Sequence, residues 1–252
     1  FFYNFENLFD TIRNPEIYDE EFTPEGPKKW NTPKYTKKIN NLSRVLFDIA
    51  AINKDYPVVI GVSEIENRNV MEDVIATPKL APANYRIVHY DSPDARGVDV
   101  AFYYRPDVFK LEGSAPIPFT MESLPNFRTR DVVTMWGTID GEPFYFMVAH
   151  WPSRLGGKEA SAPKRERAAD IMRCSTISSC RRTSLPARRV RSSWSVPPRG
   201  NITAIFSVSP ICSSRKASTR ATRCVRSWAT ISRGDTAITF PYSFTSVNNP
   251  TK

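Results

Sequence analysis

The chain has 252 residues, 40% hydrophobic and 24% charged, an ordinary globular composition that excludes wholesale disorder. Its length allows one large α/β domain or two small ones, and no apolar run approaches the roughly 18–20 residues needed to span a bilayer. The formal charge of +9 invites a nucleic-acid reading, but it averages two unlike parts. Residues 1–173 hold 22 Lys and Arg against 25 Asp and Glu, a net of −3. Residues 174–252 hold 13 basic residues against the single acid Asp235, together with all four cysteines and 16 serines.

In the first part, Phe1 to Phe5 reads as a short, buried aromatic strand. Ile39, Leu42, Val45, Leu46 and Ile49 recur at three- and four-residue spacing, one face of an amphipathic helix. Pro57 to Val62 is a continuous apolar run, as expected of a strand covered on both faces. Asn69 to Ala76 predicts a short helix stopped by Pro78. Further strands are predicted at Tyr85 to Tyr90, Val98 to Tyr104, Asp131 to Ile139 and Pro143 to His150, then a polar, Ala-rich helix at Lys158 to Arg173. Strands with few intervening helices point to a mixed-sheet α/β sandwich rather than a doubly wound parallel sheet.

The second part has no such pattern. Cys174 to Arg182 has neither period 3.6 nor period 2, and short apolar pieces such as Ile202 to Val208 stand alone. Cys174, Cys180, Cys212 and Cys224 match no zinc spacing, which wants paired short intervals. A Ser/Arg-rich stretch can serve as a basic nucleic-acid arm. The abrupt loss of pattern also fits a reading-frame shift in the gene near codon 173. On that reading residues 174–252 form an aberrant basic tail, mostly disordered or loosely attached.

Four segments carry chemistry. Tyr3-Asn4-Phe5-Glu6-Asn7 and Gly61-Val62-Ser63-Glu64-Ile65-Glu66-Asn67 each put polar groups at the end of an apolar strand. Arg96-Gly97-Val98-Asp99 opens a third strand, and His150-Trp151-Pro152-Ser153-Arg154 closes a fourth. Polar groups at the ends of buried strands are where an α/β scaffold presents a site. Taken in order, these segments resemble the endonuclease/exonuclease/phosphatase superfamily, the DNase I-like metal-dependent phosphodiesterases. The likeness covers residues 1 to about 173 and is nearest to a bacterial branch with a His-Trp-Pro-Ser-Arg-x-Gly-Gly signature, here His150 to Gly157.

The resemblance implies a four-layer α-β-β-α sandwich of two packed mixed sheets, incomplete here at its C-terminal end. It implies that Glu64 is the principal Mg²⁺ ligand, that Glu6 binds the metal through water, and that Mn²⁺ could replace Mg²⁺. It further implies that Asn4 helps hold the catalytic cluster and phosphate, and that His150 contacts the scissile phosphate or protonates the leaving oxygen. Arg130, Arg154 and Arg165 are phosphate-clamp candidates because guanidinium forks match phosphate oxygens. Asp99 either steers a phosphate-binding Arg96 or is a structural strand carboxylate, and His89 reads as structural. If Glu64 is the ligand, its carboxylate should lie within about 8 Å of Glu6 and the His150 ring.

The same family completes its site with a Gly-Asp-Phe-Asn-Asp-like motif and a C-terminal His. Residues 174–252 contain neither; the histidines of the chain are His89 and His150. The expected function is therefore a metal-dependent phosphodiester hydrolase, incomplete as written, acting as a monomer on nucleic acid or a small phosphoester. The alternative is a non-catalytic phosphate- or nucleic-acid-binding remnant with a basic tail, or a frame-shifted product with no function of its own. Localisation stays open between a bacterial cytoplasm and export: residues 1–173 lack Cys, and the chain opens without Met, from which an earlier true start and any targeting segment are an expectation.

Overall fold

The computed structural model describes residues 1–153, 156–182, 203–208, 228–233 and 236–241. Strands β1 (Phe2–Leu8) and β2 (Val59–Ile65) run parallel, joined through helix α1 (Thr32–Asn53). After α2 (Arg68–Ile75), β3 (Arg86–His89) and β4 (Asp99–Tyr104) complete a mixed sheet of order β1-β2-β4-β3. The second sheet has the order β10-β9-β8-β7-β6-β5, and every pairing described in it is antiparallel. It comprises β5 (Phe109–Ile117), β6 (Val132–Ile139), β7 (Glu142–His150), β8 (Thr203–Val208), β9 (Trp228–Arg233) and β10 (Thr236–Pro241). Helix α3 (Lys158–Arg182) follows β7.

Strand alternation sorts the side chains into four layers. In β4, Val100 and Phe102 face the second sheet, where they meet Phe109, Val133, Met135, Phe146 and Val148. Ala101 and Tyr103 face the other way, into a core closed by Ile39, Leu42 and Leu46 of α1 and Val70, Met71 and Val74 of α2. On the far side of the second sheet, Val132, Met147 and Ala149 pack against Ala168, Ile171 and Met172 of α3. Helices, sheet, sheet and helix are thus stacked, as the sequence resemblance implies. No helix among the described residues is long and apolar enough to cross a membrane.

Local signals account for the elements. The Asn31 side chain accepts the Lys34 N–H at 3.2 Å to cap α1, and Pro33 sits in its first turn. All seven residues of β2 are buried, matching its unbroken apolar run. The strand β5 is absent from the sequence reading because Gly113 and Pro116 interrupt its pattern. Both are tolerated because, among the described residues, β5 is the edge of its sheet and carries a register shift between Leu111 and Gly113.

Two described pieces of the second part form regular structure. Helix α3 runs on through Cys174 to Arg182, across the boundary drawn at Arg173. Extending an existing helix needs only propagation, not the costly first turn, so it continues without an amphipathic pattern. The apolar piece near Ile202 does not stand alone either: β8 pairs with β7 from Thr203↔His150 to Val208↔Tyr145. The expectation of a loosely attached tail otherwise falls on 183–202, 209–227, 234–235 and 242–252, outside the described residues.

Phe109 joins the two sheets. It is fully buried, edge-on to Tyr104 at 5.8 Å and to Phe146 at 5.4 Å. Phe109→Ala should cost about 3–5 kcal/mol, read as a lower midpoint in urea denaturation. A loss below about 1 kcal/mol would mean the sheets are not packed through this ring.

Candidate active site

Because β1 and β2 are parallel, their C-terminal ends emerge at the same end of the sheet. Both lose regular register there, β1 between Asn4 and Leu8 and β2 between Ser63 and Ile65. Glu6, Asn7 and Glu64 adopt left-handed backbone, with φ of 53°, 60° and 59°. That conformation costs a non-glycine residue roughly 1–2 kcal/mol and concentrates at functional sites. The Asn4 side chain supports the β1 turn by accepting the Glu6 N–H at 2.7 Å.

His150 reaches the same place from the other sheet. As the last residue of β7, it brings Nε2 to 3.2 Å from Glu64 Oε1. The contact has an ion-pair distance without hydrogen-bond alignment, and both ring nitrogens are buried with no hydrogen-bond partner among the described residues. Burial, then the charges of Arg130 and Arg96, push the His150 pKa well below the ordinary histidine range, so the imidazole is neutral. Glu64 is only 8% exposed, and no Lys or Arg nitrogen among the described residues lies within ion-pair distance of it. Glu6 is exposed at the mouth, and its carboxylate and that of Glu64 both act on the Lys38 ammonium. Burial depresses that ammonium while the two acids raise it. Glu64, Glu6 and Asn4 offer only oxygen donors, a set that suits Mg²⁺ or Mn²⁺.

The arginines divide. Arg130 is buried, donating from Nη1 to Asp94 at 2.8 Å and from Nη2 to the carbonyls of His150 at 3.1 Å and Trp151 at 3.3 Å. Arg165 is buried as well; it donates to Pro152 O at 3.0 Å and lies 5.5 Å over the Trp151 ring. Both brace the exit of β7. Arg154 lies outside the described residues. Arg96, by contrast, has a half-exposed side chain and only a loose 3.6 Å contact with Asp94.

Sequence reasoning missed Asp94, Lys38 and Glu66. Asp94 ties a turn to the bracing system: it accepts the Arg96 N–H at 3.0 Å, its carbonyl accepts the Gly97 N–H at 2.9 Å, and its other oxygen takes Arg130. Gly97 is required in this turn, since φ is +68° and an added Cβ would lie 2.3 Å from Ile17 Cδ1. Glu66 accepts the Asp10 N–H at 2.7 Å; burial, reinforced by Asp10 and Asp19, raises its pKa to about 7. The signal available for both acids was the loop spacing in Asp94-Ala95-Arg96-Gly97 and Glu64-Ile65-Glu66. His89 and Asp99 pair at 3.1 Å, and Asp99 also accepts from the Ser92 N–H at 3.0 Å, which closes the loop between β3 and β4. With exposed Asp91, their donor atoms lie within 4.8 Å of one another, a second place whose chemistry would suit an ion.

The model of the Endonuclease/Exonuclease/phosphatase family matches residues 1–184. No curated protein matches the chain. Among solved structures, the human Nocturnin catalytic domain with bound sulfate is 18% identical, covering 57% of this chain and 52% of that one at a TM-score of 0.39. D. rerio TDP2 complexed with a single-strand DNA product is 19% identical, covering 43% of this chain and 38% of that one at a TM-score of 0.31. A family protein from Bacteroides thetaiotaomicron is 16% identical, covering 46% and 44% at 0.31. The chain therefore spans between 38% and 52% of the length of these structures.

The raised Glu66 pKa has a definite consequence for stability. The folded state holds this proton more tightly than the unfolded state, whose carboxyl titrates near 4.5. Its contribution is fully present below about pH 4.5 and is lost as pH rises to about 7. Glu66→Gln keeps an acceptor for the Asp10 N–H and removes the titration. In denaturant titrations without divalent ions, the parent should lose on the order of 1 kcal/mol per pH unit across that window relative to the variant. Parallel curves for the two proteins would refute the burial of Glu66.

Proposed function

The chain belongs to the endonuclease/exonuclease/phosphatase family, and from that premise we propose that it hydrolyses phosphodiesters with a divalent metal. The observation that carries the reading is the meeting of Glu64 and His150 at 3.2 Å, from different sheets, at the ends of buried strands. Glu64 and Glu6 would hold the ion, with Asn4 beside them. Bound there, Mg²⁺ or Mn²⁺ supplies neutralisation of the charge that grows on the phosphodiester during in-line attack by water.

The remaining work falls to side chains. A neutral His150 carries one N–H and one lone pair, and a phosphate oxygen gives its buried ring the partner it lacks. From that position it donates a hydrogen bond to a non-bridging oxygen or a proton to the leaving oxygen. The Asp94–Gly97 turn presents the half-exposed Arg96 as the phosphate-binding guanidinium. Arg130 and Arg165, hydrogen-bonded to the carbonyls of residues 150–152, support the position of His150, and Arg96 joins them as a phosphate-binding candidate. Arg154 keeps its candidacy by motif alone.

One observation favours a second reading. The chain holds no Gly-Asp-Phe-Asn segment and no histidine after His150, so the groups that the resemblance assigns to activating water are not in its sequence. A non-catalytic phosphate- or nucleic-acid-binding protein, with residues 174–252 as an aberrant basic tail, follows from that.

The two readings separate on the full chain with bis-p-nitrophenyl phosphate and plasmid DNA. The hydrolase reading expects turnover that needs Mg²⁺ or Mn²⁺ and is abolished by EDTA. Glu64→Gln should lower it by a factor on the order of 10² or more, because it removes the charge that holds the metal. His150→Ala should cost about 10² to 10⁴, the range for lost acid–base help. Binding of the diester with no metal-stimulated turnover would leave the binding-protein reading standing.

A further inference from the structure

A groove of about 340 Å³ lies between β1 and the N-terminal half of α1, and the cluster just described does not use most of it. It begins at Asn4 and Glu6 and runs along α1 past Lys34, Lys37 and Lys38. Tyr3 and Trp30 add half-buried aromatic surface to its lining. Among the described residues β1 is a terminal strand of its sheet, so this side is not closed by a neighbouring strand.

The charge of this groove is out of keeping with the rest of residues 1–173, which are net negative. Residues 31–47 contain no Asp or Glu at all. Lys34, in the first turn of α1, opposes the helix macrodipole, whose positive end favours anions, at roughly 0.3–1 kcal/mol, and Lys37 and Lys38 add two more cations one turn further on. Among the described residues Lys34 and Lys37 have no carboxylate partner, whereas Lys38 lies in the field of Glu6 and Glu64. Lys34 and Lys38 donate to the backbone carbonyls of Lys28 at 2.7 Å and Glu6 at 2.6 Å, not to carboxylates. Among the described residues the lysine with a carboxylate partner is Lys28, on Glu21 at 2.8 Å. An anionic ligand lying in the groove would give Lys34 and Lys37 the counter-charge they lack among the described residues.

The shape and the aromatics narrow the anion. Lys34, Lys37 and Lys38 span about one helical turn, 4.5–6 Å of rise, on one face of α1, more than a single phosphate covers. Trp30 is fixed in place, its Nε1–H donating to Phe9 O at 3.0 Å and its ring edge-on to Phe22 at 6.0 Å. Lysines interleaved with half-buried rings form the kind of surface on which a strand is held by its phosphates while its bases stack. We propose that this groove binds single-stranded nucleic acid and leads it past Asn4 and Glu6 to the Glu64–His150 cluster. Naming nucleic acid as the substrate class rests on the hydrolase reading; binding in the groove does not.

The test is therefore a binding measurement made in EDTA, without turnover. The full chain is titrated against a short fluorescent oligothymidylate at several salt concentrations, beside Lys34→Ala/Lys37→Ala, two exposed positions where folding is checked by thermal melting. The double variant should bind roughly tenfold more weakly, and the slope of log affinity against log salt should shrink by about 1.4, or 0.7 per lost phosphate contact. Equal affinity and slope in a folded double variant would overturn the proposal. So would displacement of the oligonucleotide by low concentrations of pyrophosphate at matched ionic strength, which would assign the groove to a small polyanion. A chain that binds the strand through these lysines but hydrolyses no diester would overturn the hydrolase reading and leave the groove intact.

Discussion

A sheet covered on both faces can show a polar group only where its strands end. The first sheet is under that constraint: β2 is buried along its whole length, between the helices α1 and α2 on one side and the second sheet on the other. Since β1 and β2 are parallel, their polar ends lie at the same end of the sheet, and the register breaks there leave Glu6 and Glu64 in left-handed backbone, with both carboxylates acting on Lys38. The local cost of left-handed backbone is held by the surrounding burial, with Phe5, Leu8 and Ile65 fully buried on either side of the breaks.

The second sheet supplies the other half of the cluster, and buried charge fixes its position. Arg130 and Arg165 hold the carbonyls of three successive residues, His150, Trp151 and Pro152. Asp94 compensates Arg130, and removing either partner of such a pair leaves a buried charge at a cost of about 3–5 kcal/mol. Burial first, and then the charges of Arg130 and Arg96 at the strand exit, lower the His150 pKa. Structure and chemistry are coupled there: the turn carrying Asp94 is latched to the loop before α1 through the Tyr18 N–H on Ala95 O at 2.9 Å and the packing of Ile17 against Gly97.

Much of this was legible in the chain. The apolar run at 57–62 and the strands predicted at 98–104 and 143–150 each correspond to an element close to its predicted bounds, and the helical spacing from Ile39 to Ile49 lies inside the longer α1. The juxtaposition of Glu64 and His150 was anticipated only through motif order, because no local pattern reports which strand ends meet across two sheets. The buried roles of Arg130 and Arg165 were illegible: an arginine in sequence reads as a solvated or phosphate-binding group, and only the carbonyls around it reveal a brace. Lys38 was hidden for a similar reason, lying at the margin of the α1 core face where its stem is half-buried and its ammonium meets Glu6. The strand β5 was lost to Gly113 and Pro116, which an edge position permits and a periodicity test rejects.

The account turns on Glu64 being the carboxylate that gathers a divalent ion beside a neutral His150. Diffraction from crystals of the full chain soaked in Mn²⁺, with anomalous signal collected at the manganese edge, addresses this directly. A peak at bonding distance, about 2.1–2.2 Å, from the Glu64 carboxylate, on the side shared with Glu6 and Asn4, is the predicted result. Manganese bound only at His89, Asp91 and Asp99, with the Glu64 carboxylate unliganded, would contradict it.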